Sequence, residues 1–106
     1  MTARFLALYE TPADPGTFDR HYQQVHIPLL RQLPRLRRYT VSRDLPARHG
    51  APCYLVTELD WDTMDDLRAA FASPEGHATA ADAARLAELA PVRRMIFTAE
   101  EGSQRG

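Results

Sequence analysis

Between Pro15 and Leu33, apolar residues recur at three- and four-residue steps: Phe18, Tyr22, Val25, Leu29 and Leu33. That period makes one apolar stripe along an amphipathic helix. Asp14 offers an acceptor to the first free backbone N–H groups, and Pro15 fills the first helical position, where a missing donor costs nothing. Pro34 stops the helix. The pattern then changes on both sides. Arg4 to Glu10 (RFLALYE) predicts a strand, apolar on both faces and ended by Thr11-Pro12. Leu36 to Leu45 alternates imperfectly and predicts a second strand, and Pro46 to Pro52, with Gly50, a polar turn. Cys53 to Trp61 (CYLVTELDW), rich in β-branched and aromatic residues, predicts a third strand. Asp62 is the expected cap of a helix with Asp65 and Asp66 in its first turn and Met64, Leu67 and Phe71 inward. Ser73-Pro74 restarts a helix that runs, dense in alanine, to about Leu89. Pro91 ends it, Val92 to Ala99 (VRRMIFTA) is the last strand, and Glu100 to Gly106 is a polar tail.

The order β-α-β-β-α-β, with its second helix in two pieces, predicts an α+β protein of the split, ferredoxin-like kind. Its four-stranded antiparallel sheet carries the helices on one face. Residues 1–99 form one domain in this reading, and 100–106 the tail. The last strand is apolar on both sides: Val92 and Ile96 alternate with Met95 and Phe97. A sheet apolar on both faces must be covered on both, and a second copy of the chain is the natural cover.

Composition narrows the function classes. At 106 residues and a net charge of −1 the chain is suited to neither a nucleic-acid nor an anionic membrane surface. No apolar run approaches the roughly 20 residues of a membrane span, and Met1 to Glu10 lacks a signal-peptide pattern. Cys53 alone allows no internal disulfide and no thiolate metal cluster, so a reducing cytoplasm is the expected location. All thirteen basic residues are Arg. A lysine Schiff base and a P-loop lysine are thereby excluded. RNA-recognition modules share the element order, but CYLVTELDW has neither their glycine nor their stacking pair.

His26 is the first candidate for chemistry. It borders the apolar stripe, one turn after Tyr22, and Pro28 follows two residues later. Inside a helix that proline removes a hydrogen bond to the Gln24 carbonyl, a loss on the order of 3 kcal/mol, and predicts a kink. His26 then either holds the freed carbonyl or acts as a general acid or base near neutrality. His21, five residues away, is expected well apart around the helix, which makes a metal pair improbable. His49 and His77 read as exposed, and Cys53 as a small buried residue. Arg35, Arg37, Arg38, Arg43 and Arg48 cluster around the second strand as solvated surface, an acid-binding patch or partners for Glu58 and Asp60. No dinucleotide fingerprint is present.

Asp14, Phe18, Tyr22, His26, Pro28-Leu29, Pro34 with Leu36, and Tyr39, followed by Tyr54, Glu58-Leu59 and Ser73-Pro74-Glu75-Gly76, resemble the EthD family in spacing over about 75 residues. Where that family commonly has Pro-Gly-Leu, Arg35 stands in place of the glycine. The resemblance implies a dimeric α/β barrel of ferredoxin-like protomers, each with an apolar pocket between sheet and helices. It implies His26 and Tyr39 as the catalytic candidates, with Tyr22, Phe18, Leu29 and Phe71 as pocket lining. It points to a homodimeric small-molecule enzyme, a reductase or a cofactor-independent acid–base catalyst, acting on an apolar or aromatic ring metabolite. No cofactor, metal, nucleic acid or membrane partner is expected. The alternative is a non-catalytic accessory protein that holds such a metabolite for an oxygenase system.

Overall fold

The structure, a computed structural model, describes residues 1–43 and 53–100. Its elements run β1 (Thr2–Tyr9), α1 (Pro15–His21), a π-helical turn (Tyr22–His26), α2 (Ile27–Leu30), β2 (Arg38–Arg43), β3 (Leu55–Trp61), α3 (Met64–Ala72), α4 (Pro74–Leu89) and β4 (Val92–Ala99). The strands form one antiparallel sheet in the order β2-β3-β1-β4, the ferredoxin-like arrangement that the sequence predicts. The predicted turn with Arg48 and His49, and the tail beyond Glu100, lie outside the described residues.

Several boundaries differ from expectation. The cap of α3 is Thr63, whose hydroxyl accepts from the Asp66 N–H, rather than Asp62, which is exposed and ion-paired with Arg37. Cys53 precedes β3 and is half-buried. Asp14 caps α1 as predicted, accepting from the Thr17 N–H. The helix breaks off at Leu30, and two i→i−3 bonds, Gln32 N–H to Leu29 and Leu33 N–H to Leu30, tighten the exit. Arg35 then adopts φ 58°, the left-handed conformation in which a glycine is unstrained. Arg35, Arg37, Arg38 and Arg43 pair within the chain, with Asp66, Asp62, Asp60 and Asp19.

The widened turn at Tyr22–His26 decides which side chains face inward. The Ile27 N–H reaches back five residues to the Tyr22 carbonyl. In a regular α-helix residues four apart drift by roughly 40° per step. A turn that takes in an extra residue cancels that drift, and Phe18, Tyr22, His26 and Leu30 are all buried in one column. Val25, expected on the inner stripe, is 40% exposed, and Leu29 is only half-buried. Phe18 stacks on Tyr22 at 5.8 Å, and Tyr22 lies 5.3 Å from the His26 ring.

Two apolar clusters fill the space between sheet and helices. One joins Ala3, Leu30, Leu59, Trp61 and Leu67, the other Ala7, Tyr9, Phe18, Tyr22, Leu55 and Leu86. Gly76 lets the start of α4 press on the end of α3: a Cβ there would sit 2.6 Å from the Phe71 carbonyl oxygen.

Candidate functional site

A cavity of about 540 Å³ separates α4 from the sheet. Its floor is Phe5, Ala7 and Tyr9 of β1, Thr57 and Leu59 of β3, and Arg94 of β4. Its roof is α4, which presents Gly76, Thr79, Ala80, Ala83, Ala84 and Ala87. Small side chains at positions 80, 83, 84 and 87 fall on one helical face, and their lack of bulk leaves the room. His26, Leu30 and Phe71 close the helical side. The volume is that of a small-molecule site, and the walls are mostly apolar.

His26 is the imidazole that lines this cavity. Its ring is 5% exposed, and Nδ1 lies 2.9 Å from Oδ2 of Asp82 on α4. Asp82 is itself 6% exposed, and its other oxygen, Oδ1, is 2.6 Å from Nε2 of His21. One buried carboxylate therefore bridges two imidazoles. The π turn makes this possible: five α-helical residues would place His21 and His26 roughly 140° apart, whereas a turn of five brings them to one side. The expectation that the two histidines diverge is thus overturned. So is the idea that His26 holds the Gln24 carbonyl, since its partner is Asp82. Among the described residues no group of three His, Cys, Asp or Glu side chains is placed to hold a metal ion.

Protonation follows from these contacts. Burial pushes the His26 imidazole below its ordinary value, against the upward pull of the Asp82 hydrogen bond and charge. The ring is then neutral near pH 7, with the proton on Nδ1, because a carboxylate can only accept. In that tautomer the lone pair is on Nε2. Tyr9, a cavity wall residue, has its hydroxyl pushed up to about 12 by burial, so it stays a donor. Burial raises the Tyr22 hydroxyl further, and it is hydrogen-bonded to the Thr57 hydroxyl.

The residues expected around the pocket divide. His26 and Phe71 line the cavity. Phe18 and Tyr22 lie behind it, fully buried in the core, and Leu30 rather than Leu29 faces it. Tyr39 is not on this wall. β2 is the edge strand farthest from β4, and the Tyr39 hydroxyl accepts from Nε of Arg31 at 2.9 Å, with the guanidinium 5.9 Å from its ring centre. Asp82, Tyr9, Arg94 and the alanine face were not singled out in the sequence. An acid within an alanine-rich helix looks solvated, and only its coincidence with the buried Thr79 and Leu86 face of α4 marks it as internal.

Fold and site together define a small ferredoxin-like protein with a mostly apolar cavity lined by a histidine that a buried carboxylate holds. The chain belongs to the EthD domain family, which matches residues 10–90. It is 37% identical over 100 residues to an uncharacterized 11.0 kDa protein of the thcB-thcC intergenic region of Rhodococcus erythropolis, covering 92% of this chain and 94% of that one. The crystal structure of an EthD family protein from Bacillus halodurans superposes with a TM-score of 0.85 at 34% identity, over 94% of this chain and 100% of the other. SnoaB, a cofactor-independent oxygenase from Streptomyces nogalater, has the same fold, with a TM-score of 0.70 at 20% identity over 98% of each chain. Among the described residues no helix is long and apolar enough to cross a membrane.

Proposed function

We propose that this protein is a small-molecule acid–base enzyme in which His26 Nε2 removes a proton from a largely apolar ring metabolite held under α4. The observation that carries the reading is a buried His26, held by Asp82, on the wall of a cavity large enough for a bicyclic ring. A carboxylate that fixes the tautomer and stabilises the imidazolium formed on proton uptake is what a histidine base needs. The reaction in this account uses no cofactor: the proton goes to Nε2, the electron pair stays on the substrate, and reprotonation at another atom gives an isomer. SnoaB, described as a cofactor-independent oxygenase, supports cofactor independence at the level of fold alone.

The working form in this reading is a homodimer. The sheet face opposite the helices carries Leu6 beside Met95, Leu8 beside Val56, and Phe97, and Met95 is 48% exposed. An apolar strip of this kind is what a two-fold partner covers.

Deuterium exchange tests the chemistry. Bicyclic enolisable ketones such as tetralones, incubated with the protein in D2O, are expected to exchange their acidic C–H faster than in buffer. His26→Gln should reduce the protein-dependent rate about a hundredfold or more. Exchange that is absent throughout the panel, or unchanged in that variant, favours the accessory ligand-holding role instead.

A further inference from the structure

Besides His26 and the threonines Thr57 and Thr79, the mostly apolar lining of the cavity includes two polar residues on its floor, Tyr9 and Arg94. Both lie on the helix-facing side of the sheet: Arg94 is registered opposite Ala7 on β1, and Tyr9 opposite Val92 on β4. Tyr9 and Arg94 are therefore diagonal neighbours across the β1–β4 ladder, a spacing long side chains can bridge. Arg94 sits on an edge strand and is exposed. Among the described residues it forms no ion pair, unlike Arg4, Arg35, Arg37, Arg38 and Arg43. Asp82, the buried acid of α4, has both oxygens taken by His21 and His26. A cation unpaired among the described residues, at the edge of a mostly apolar cavity and beside a hydroxyl that remains a donor, is a place for a negatively charged oxygen.

We propose that the ligand of this cavity is a monoanionic aromatic compound, its ionised carboxylate or phenolate bound between Arg94 and Tyr9 while its ring lies against the alanine face of α4. The inference rests on the reading of this cavity as the substrate site and adds the class of substrate. The electrostatics agree with the geometry. The Arg94 charge reaches both the Tyr9 hydroxyl and the His26 ring, lowering the pKa of each, so an anion held at Arg94 lies within the same field as the base. Proton removal from such a ligand places further negative charge on the ring, and the same two donors are positioned to stabilise it.

The test is binding rather than turnover, so that it stands apart from the exchange experiment. Affinities of the wild-type protein for 2-naphthoate and for its neutral isostere 2-naphthamide are measured by calorimetry at low salt. The naphthoate is expected to bind about tenfold or more tightly than the amide. Arg94→Gln should abolish that preference by weakening naphthoate alone, and Tyr9→Phe should reduce it a few-fold. Because Arg94 is an exposed edge-strand residue, the first variant is expected to fold, and an unchanged circular dichroism spectrum checks it. Equal affinity for the two probes, no binding of either, or a preference that survives Arg94→Gln overturns the proposal. Naphthoate preference without proton exchange would instead overturn the base chemistry and leave the anion site standing.

Discussion

Nδ1 of His26 lies 2.9 Å from Oδ2 of Asp82, a residue 56 positions further along the chain on a different helix. The contact ties the π turn to α4, and it orients the only imidazole that lines the cavity among the described residues. Asp82→Asn replaces an acceptor of two imidazoles with a group that accepts through one oxygen only. The variant is expected to lose about 1–3 kcal/mol of stability, since hydrogen bonds to charged groups in buried sites are worth that much. It should also lose most proton exchange, because the His26 tautomer is no longer fixed. Denaturant unfolding and the exchange rate, measured on one preparation, check both.

The alanine face gives a prediction of the opposite kind. Ala84 lines the cavity but is otherwise exposed, so Ala84→Leu fills open space rather than packed core. Leucine is nearly as good a helix former as alanine, and the thermal midpoint should change little. Binding of aromatic probes should be lost, and calorimetry with the variant reads it directly.

Two backbone positions should respond in opposite directions. Gly76→Ala forces a methyl group against the carbonyl of Phe71 and should cost about 1–3 kcal/mol by overpacking. Arg35→Gly removes a side chain from a left-handed residue and should stabilise by about 0.5–1 kcal/mol, despite losing the exposed ion pair with Asp66. Urea midpoints of the two variants against wild type settle both signs.

Acid should destabilise the fold through His26. Its pKa is lowered in the native state, so on acidification the unfolded chain takes up the proton first. Stability attributable to this ring is complete above the ordinary histidine value of about 6.5 and falls as pH drops from there through the native value. The groups that face it are Asp82 on α4, His21 on α1 and Arg94 on β4, besides the burial itself. The thermal midpoint of the wild type should therefore decline below about pH 6.5 more steeply than that of His26→Gln.

Much of this architecture was legible in the chain. Asp14 and Pro15 announce the start of α1, and the alternation of apolar types in RFLALYE and CYLVTELDW fixes the strands that carry the cavity floor. The π turn was not legible as such. A stripe at 18, 22, 25, 29 and 33 fits a regular helix as well as 18, 22, 26 and 30 fit a widened one, and Pro28 is compatible with either. That single added residue moved Val25 out, turned His26 and Leu30 in, and brought His21 onto Asp82. Tyr39 failed for a different reason. It is on the helix-facing side, opposite Leu59, but strand order puts β2 at the edge away from α4. Face can be read from alternation, whereas distance across the sheet depends on pairings that no local pattern encodes.

Base chemistry at this site requires a neutral His26 with its proton on Nδ1 and a free Nε2. Long-range proton–nitrogen correlation spectra of the imidazole rings, recorded from pH 4 to 8 with His26→Gln for assignment, test it most directly. His26 at pH 7 is expected to be the Nδ1–H tautomer, to titrate below about 6.5, and to lose this tautomer's dominance in Asp82→Asn. A His26 that is doubly protonated at pH 7, or that carries its proton on Nε2, contradicts it.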